Sequence, residues 1–448
     1  MTRAAAAPPP RHAAPNPLAT LRTPRFWLQP IVVALVLFAA LSGLYLAGIL
    51  NPTKNLHHFP IAVVNSDEGP TGRQIVDGLK SGLDPERFDL RELTVEQASH
   101  QMDRAHIYGQ VVIPADFSRR LEQFGAAAMR PGEPDRPAVA ISVSPRAGEL
   151  GASIAGMTLG KALNDINSRV GQQLSADAAR EAGAPLPGGV ALTLSNPIDV
   201  SVNDYAPLPD GTGNGLSAFY YALLLLLAGF TGSIVVSSLV DSMLGFVPSE
   251  LGPVYRLAQQ VGISRFRTLL VKWAFMVIIA VLTSAVYMAI AHGLGMPIPN
   301  ALALWLYGAF TIAAVGITAT SLIAALGSMG LLVNLFVFVM LGLPSNGGTI
   351  PLQAAPPVFG WLATFEPMHQ VFLGARALLY FDGRVDAGLT HALISTTVGL
   401  LIGLTIGAAV TRFYDRRGLN REHVGADDAG GKAGEVAPDS ALNSANPD

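Results

Sequence analysis

The chain has no cysteine among its 448 residues, and Asp, Glu, Lys and Arg together make up only 14% of it. The first absence excludes disulfides, thiolate metal sites and thiol catalysis, so any portion outside the cytoplasm has to fold without covalent cross-links. The second is too little charge for a soluble protein of this length: half of the residues are hydrophobic and mean hydropathy is +0.40. Net charge is −3 and no basic stripe interleaved with aromatics occurs, so nothing points to nucleic acid.

Catalytic patterns are missing too. Neither a G-x-S-x-G elbow nor an H-E-x-x-H pair is present. The histidines are scattered: His57 and His58 stand just after the first apolar run and His292 at the end of a later one, without ligand spacing. A phosphate-binding loop would read G-x-x-x-x-G-K-[ST]. The nearest strings, GMTLGKA at 156–162 and GGKA at 430–433, lack that pattern. The chain is therefore not expected to be an enzyme, to need a cofactor or a metal, or to hydrolyse ATP by itself.

What the sequence does contain is long apolar runs. About 20 apolar residues suffice to cross a bilayer as a helix. Residues 31–50 meet that length behind Arg22 and Arg25; the run is too long for a signal-peptide core and lacks a cleavage site, so it reads as an uncleaved anchor. Further spans are expected at about 216–240, 269–291, 301–322, 324–343 and 389–411. The fourth and fifth come from one charge-free stretch, 301–343, broken at Gly327-Ser328-Met329-Gly330.

Cations cluster before the first span, between the second and third (Arg256, Arg265, Arg267, Lys272) and after the last (Arg412, Arg416, Arg417, Arg421). By the positive-inside rule both termini are cytoplasmic, in a multi-pass protein of the plasma membrane. With Lys272 counted among those cations, the spans hold essentially no ionisable group, and Asn334 with scattered Ser and Thr are their only polar residues. A proton-coupled transporter usually needs a membrane-embedded acid. Any path here is apolar and powered from elsewhere.

The expected fold is thus mostly α and polytopic, with an α/β extracytoplasmic domain inserted between the first and second of six transmembrane helices. Residues 1–25 form a cytoplasmic tail and elbow, 26–50 the first helix, 51–214 the outer domain, 215–412 the membrane domain and 413–448 a disordered tail. Within the outer domain, β-branched runs at 59–65, 88–93, 108–113 and 138–143 read as strands, with helices near 71–81, 95–106 and 116–124. A longer helix, about 150–180, carries Leu159, Leu163, Ile166, Val170 and Leu174 on one face. It packs along the sheet or pairs with its copy in a partner chain. Residues 196–209 return to the membrane as an extended, Pro-rich segment.

Three places could carry function. Asn65, Asp67 and Gly69, with Glu68 between them, follow the first strand; they read as a capping turn or as a cation or acid–base site. The cytoplasmic loop 241–268 is expected to hold a short helix opened by Ser249 or Pro253, with Glu250, Tyr255, Arg256 and Gln259 available to a soluble partner or to anionic lipid. Residues 353–381 are apolar but broken by Pro356, Pro357, Glu366 and Pro367, and they carry Trp361 and Arg376. A full crossing there would put the Arg-rich tail outside, so a re-entrant or interfacial helical hairpin is expected.

The strings FPIAVVNSDEG and YGQVVIPADFS in the outer domain, with PPVFGWLATFEPMHQVFLGARALLYF before the last span, resemble ABC-2 type membrane permeases. The likeness is nearest to the phage infection protein (YhgE/Pip-like) and nitrosoguanidine-resistance membrane proteins, and covers about residues 20–420. It implies a permease half that works as a homodimer or heterodimer in the lipid membrane with a separate ATP-binding subunit. It also implies that 249–262 is the coupling helix, 16–29 an interfacial elbow and 356–381 the re-entrant hairpin. Export of a hydrophobic or amphipathic compound, drug-like or lipid-linked, follows; the alternative is a cell-envelope receptor whose outer domain is the active part.

Overall fold

The computed structural model describes residues 24–419. Most of the elbow expected over 16–29, and the tails 1–23 and 420–448, lie outside the described residues. Residues 24–29 open the first helix, α1 (Pro24–Ile49).

Among the described residues six helices are long and apolar enough to cross a membrane: α1, α7 (Leu216–Met243), α8 (Arg265–Gly293), α9 (Ala301–Leu326), the irregular run Ser328–Ser345 and α14 (Leu389–Arg416). The break between the fourth and fifth falls at Gly327, whose φ of +62° a side chain would resist. The fifth is composite. Helix α10 (Ser328–Leu335) passes through a π-turn at Phe336–Met340 into α11 (Gly342–Ser345). The last helix runs to Arg416, past the boundary expected at 412, and so takes in the head of the expected disordered tail.

Helix α9 is the hub, packing against α7, α8 and α14, and its central residues Thr311, Ile312 and Ala319 are fully buried. Helix α1 sits at the periphery. It touches the bundle chiefly through Gly48 on Pro344 and through Tyr45, whose hydroxyl donates to Val339 O (3.2 Å).

Between α1 and α7 lies a five-stranded sheet, ordered β2 (Phe88–Glu92), β1 (Phe59–Asn65), β3 (Gly109–Ile113), β4 (Ala138–Val143), β5 (Asp199–Asp204). Strand β1 is parallel to β2 and β3, β4 is antiparallel to β3, and β5 is parallel to β4. Buried along nearly its whole length, β1 reads as an apolar run without alternation, as a central parallel strand covered on both faces should. Helices α2 (Pro70–Gly82), α4 (Phe117–Ala128) and α5 (Glu149–Ala182) supply one layer, centred on Ile75, Leu79, Phe117, Phe124 and Leu159. The short α3 (Val95–Met102) covers the other face through Met102 against Ala62.

Helix α5 spans about 51 Å at 1.5 Å per residue and lies along the sheet, with Leu159, Leu163, Ile166 and Val170 inward. It ends at Gly183 in the left-handed conformation, with Arg180 in its last turn. The extended return segment is more than a linker: Asp199–Asp204 joins the sheet as an edge strand, preceded by helix α6 (Gly188–Ser195). Asn167 on α5 fixes that edge by donating to Ile198 O and accepting from Ile198 N, each at 2.9 Å.

Candidate functional site

Each end of the helical block carries one of the expected functional segments. The loop between α7 and α8 is not the short helix expected there. Ser249–Leu251 and Val254–Arg256 form a two-stranded antiparallel ribbon, β6 and β7, in which Ser249 opposes Arg256 and Glu250 opposes Tyr255. Gly252-Pro253 makes the turn, with Gly252 at φ +59°. Proline cannot donate to a helical ladder and disfavours helical geometry in the residue before it, so the helix expected here gives way to a hairpin. Residues 257–264, Gln259 among them, are irregular and largely exposed. The side chain of Tyr255 is exposed, flanked by exposed Val254 and Leu257.

At the opposite end, residues 353–381 form two helices, α12 (Pro357–Ala363) and α13 (Pro367–Tyr380), meeting at Glu366. Pro367 begins α13 where its missing N–H costs nothing. Glu366 caps that helix: Oε1 accepts from Met368 N (2.8 Å) and Oε2 from His369 N (3.0 Å), with the carboxylate buried. Ser345 Oγ on α11 donates to Oε2 from 3.5 Å. A carboxylate in an apolar stretch thus closes the hairpin and docks it on the fifth span. Trp361 is exposed near the tip and meets the Phe365 ring edge-on.

Between the hairpin, α9, the π-turn and α14 lies a cavity of about 380 Å³. Val315, Phe338, Phe365, Val371, Ile394 and Val398 supply most of its wall, and no charged side chain lines it. Gln370 is the principal polar group. Its Nε2 donates to Ala363 O (2.7 Å), while Oε1 is buried without a hydrogen-bond partner.

The sheet sits on the same end of the bundle. Arg376 of α13 donates from Nη1 to Ala147 O (3.0 Å), and Arg146 donates to Tyr380 O (3.1 Å). Tyr108 donates to Gln353 Oε1 (3.3 Å). Two ion pairs cross the junction at its rim, Arg104 with Asp386 and Arg384 with Asp103. A second cavity, about 340 Å³, opens in this junction. His106 lies on its wall, its imidazole held below the ordinary value by burial and then by Arg104, Arg91 and Arg376.

The turn after β1 lines neither cavity. Asp67 Oδ2 accepts from Ser118 Oγ (2.6 Å) and Gly72 N (3.1 Å), and Oδ1 from Ser118 N (3.2 Å). Asn65 Oδ1 accepts from Asp67 N (3.1 Å). A Cβ on Gly69 would fall 2.3 Å from Ser118 Oγ, so glycine lets α2 and α4 start side by side around one carboxylate. Asn65, Asp67 and Gly69 form one unit; the three expected sites do not converge on each other. Among the described residues, no group of three or more His, Asp or Glu is arranged to hold a metal ion.

Reading the sequence alone passes over two features. One is an ion pair inside the bundle: Lys272 on α8 and Asp241 on α7 meet at 2.9 Å, so the spans are not free of ionisable groups as expected. The other is that the start of α14, expected at 389, borders the junction cavity. The helix opens at Gly388 (φ +115°) with no side-chain cap, and Gly388 and His391 line that cavity. The Gly388-Leu389 step was the available signal for that helix start.

No curated protein and no solved structure matches the chain. A family model does: that of the ABC-2 family transporter proteins matches residues 25–411, from α1 through the sheet and the hairpin into the last turns of α14. With six spans and a match over most of its length, the chain is a multi-pass membrane protein and belongs to the ABC-2 transporter family.

Proposed function

We propose that the protein is the permease half of an exporter for a hydrophobic or amphipathic compound, assembled as a dimer and driven by a separate ATP-binding subunit. The observation that carries this reading is the charge-free cavity bounded by α9, the π-turn, the hairpin and α14. A space of that size with apolar walls and one buried amide acceptor favours apolar bodies bearing a hydrogen-bond donor and disfavours ions. Both termini and the β6–β7 hairpin are cytoplasmic in this reading, and the sheet domain extracytoplasmic. Residues 353–381 then dip into the membrane and return, tolerable because Glu366 and Gln370 satisfy the backbone groups freed between α12 and α13.

The β6–β7 hairpin supports the ATPase role by its composition. Glu250, Tyr255 and Arg256 are exposed on a short ribbon, and Tyr and Arg are residue types enriched at protein–protein interfaces. The test is reconstitution of the full chain in vesicles with each candidate ATPase subunit. A stable complex and ATP-dependent efflux of a lipophilic dye are expected, and Tyr255→Ala with Arg256→Ala should reduce both. Undiminished complex formation by that double variant would move the docking surface elsewhere, and absence of any complex would remove the ATPase from the mechanism.

A further inference from the structure

Arg376 is 8% exposed, yet among the described residues no carboxylate lies within ion-pairing distance of it. Its Nη1 reaches a neutral carbonyl, Ala147 O, and its guanidinium lies near the Phe372 and Phe381 rings, 5.4 and 5.8 Å from their centroids. Its Nε is buried without a hydrogen-bond partner. A buried guanidinium compensated only by a carbonyl and ring faces is costly, and a buried donor left unpaired adds to that cost.

The cavity wall offers little negative charge to balance it. Arg376 lines the junction cavity with His106, His369 and His391. The cavity also meets the N-terminus of α14, a helix of 28 residues that begins at Gly388 without a side-chain cap. Its first N–H groups and its dipole therefore face the same space with a partial positive charge. The one carboxylate on the cavity wall, Asp386, is engaged by Arg104 Nε at 2.5 Å. His106 is held below its ordinary value by burial first and then by Arg104, Arg91 and Arg376.

From this geometry we propose that the junction cavity is an oxyanion site, with Arg376 and the α14 N-terminus as its two donors to a phosphate-class anion. The occupant is a phosphate group either free in solution or carried as the head of an acidic amphiphile. The inference does not depend on the export reading, because binding is measured without transport.

The test uses the purified full-length chain in a neutral detergent. Inorganic phosphate is titrated against chloride at matched ionic strength, and in a second arm dihexanoyl phosphatidic acid is titrated against dihexanoyl phosphatidylcholine, with thermal unfolding as readout. Stabilisation by both phosphate and phosphatidic acid supports a free-oxyanion site, and stabilisation by phosphatidic acid alone supports a head-group site. In either case Arg376→Gln should weaken the apparent affinity about tenfold or more, as loss of a charge-assisted hydrogen bond implies. Because Arg376→Gln also breaks the link to Ala147, the exposed His391→Glu is the second variant. It places a negative charge on the wall and should weaken binding while leaving the unliganded Tm near the wild-type value. The proposal is overturned if neither anion shifts the wild-type Tm, or if the shift persists unchanged in both variants.

Discussion

Lys272 reaches from the second turn of α8 to Asp241 in the last turn of α7, Nζ to Oδ1 at 2.9 Å, with the lysine side chain 2% exposed. Removing one partner of such a pair strands a charge in a low-dielectric interior, whereas replacing both with apolar groups of similar volume removes two desolvation penalties at once. Lys272→Met should therefore lower the unfolding free energy by about 3–5 kcal/mol, and Lys272→Met with Asp241→Leu should recover most of that loss. Denaturant titration of the purified protein in detergent measures both. Equal destabilisation by the single and double variants would mean that the pair is not the energetic unit.

That pair also marks the limit of what hydropathy conveys. A lysine four residues into an expected span reads as a flanking cation, because the count along the chain cannot see a carboxylate arriving from the preceding helix. Strands β1 and β4 were legible to the residue, since β-branched runs bounded by turn residues admit few alternatives. Strand β5 was not: DVSVND is polar enough to pass for a linker, and it is held in the sheet by Asn167 from 31 residues away. The hairpin around Glu366 was legible as an interruption of an apolar run, while the cavities beside it depend on packing between α9, α13 and α14. The β6–β7 hairpin went against expectation because local turn chemistry at Gly252-Pro253 outweighed the family pattern.

At the β6–β7 end of the bundle the spans are tied by a second carboxylate. Asp415, near the end of α14, accepts from Arg265 N (2.8 Å) and Phe266 N (3.0 Å) in the first turn of α8. It acts as a tertiary N-cap and places a negative charge at the positive end of the helix dipole. Asp415→Ala should cost about 1–2 kcal/mol. In hydrogen–deuterium exchange, the added exchange should be confined to the first turn of α8 and the end of α14. Uniform loss of protection across the bundle would contradict a local capping role.

Asp67 makes a comparable contribution in the sheet domain. Its carboxylate takes three donors from two helix starts, so Asp67→Ala leaves Gly72 N and Ser118 N without their acceptor and should destabilise the domain by about 3 kcal/mol. Gly69→Ala tests the same corner sterically, because the new methyl would lie 2.3 Å from Ser118 Oγ. Ser118 Cβ would lie only 2.4 Å from the same methyl, so Ser118→Gly, which removes both atoms, is the partner that should restore part of the loss. Thermal unfolding of the four proteins closes the cycle, and additive losses would rule out the contact as the cause.

The absence of cysteine makes the orientation directly measurable, since a single introduced cysteine is the only thiol in the chain. Leu192 on α6 and Tyr255 on β7 are both exposed, at 74% and 62%, so cysteine at either position is reachable by reagent without disturbing a core. Both positions lie in segments well outside the six apolar helices, Leu192 between α1 and α7 and Tyr255 between α7 and α8. One crossing separates them, so they must fall on opposite sides of the membrane whatever the orientation. With both termini cytoplasmic, Leu192→Cys reacts with a membrane-impermeant maleimide added to intact cells, and Tyr255→Cys reacts only after permeabilisation. The reverse pattern would invert the protein and move the proposed ATPase surface to the outside, and labelling of both in intact cells would remove α7 from the set of spans.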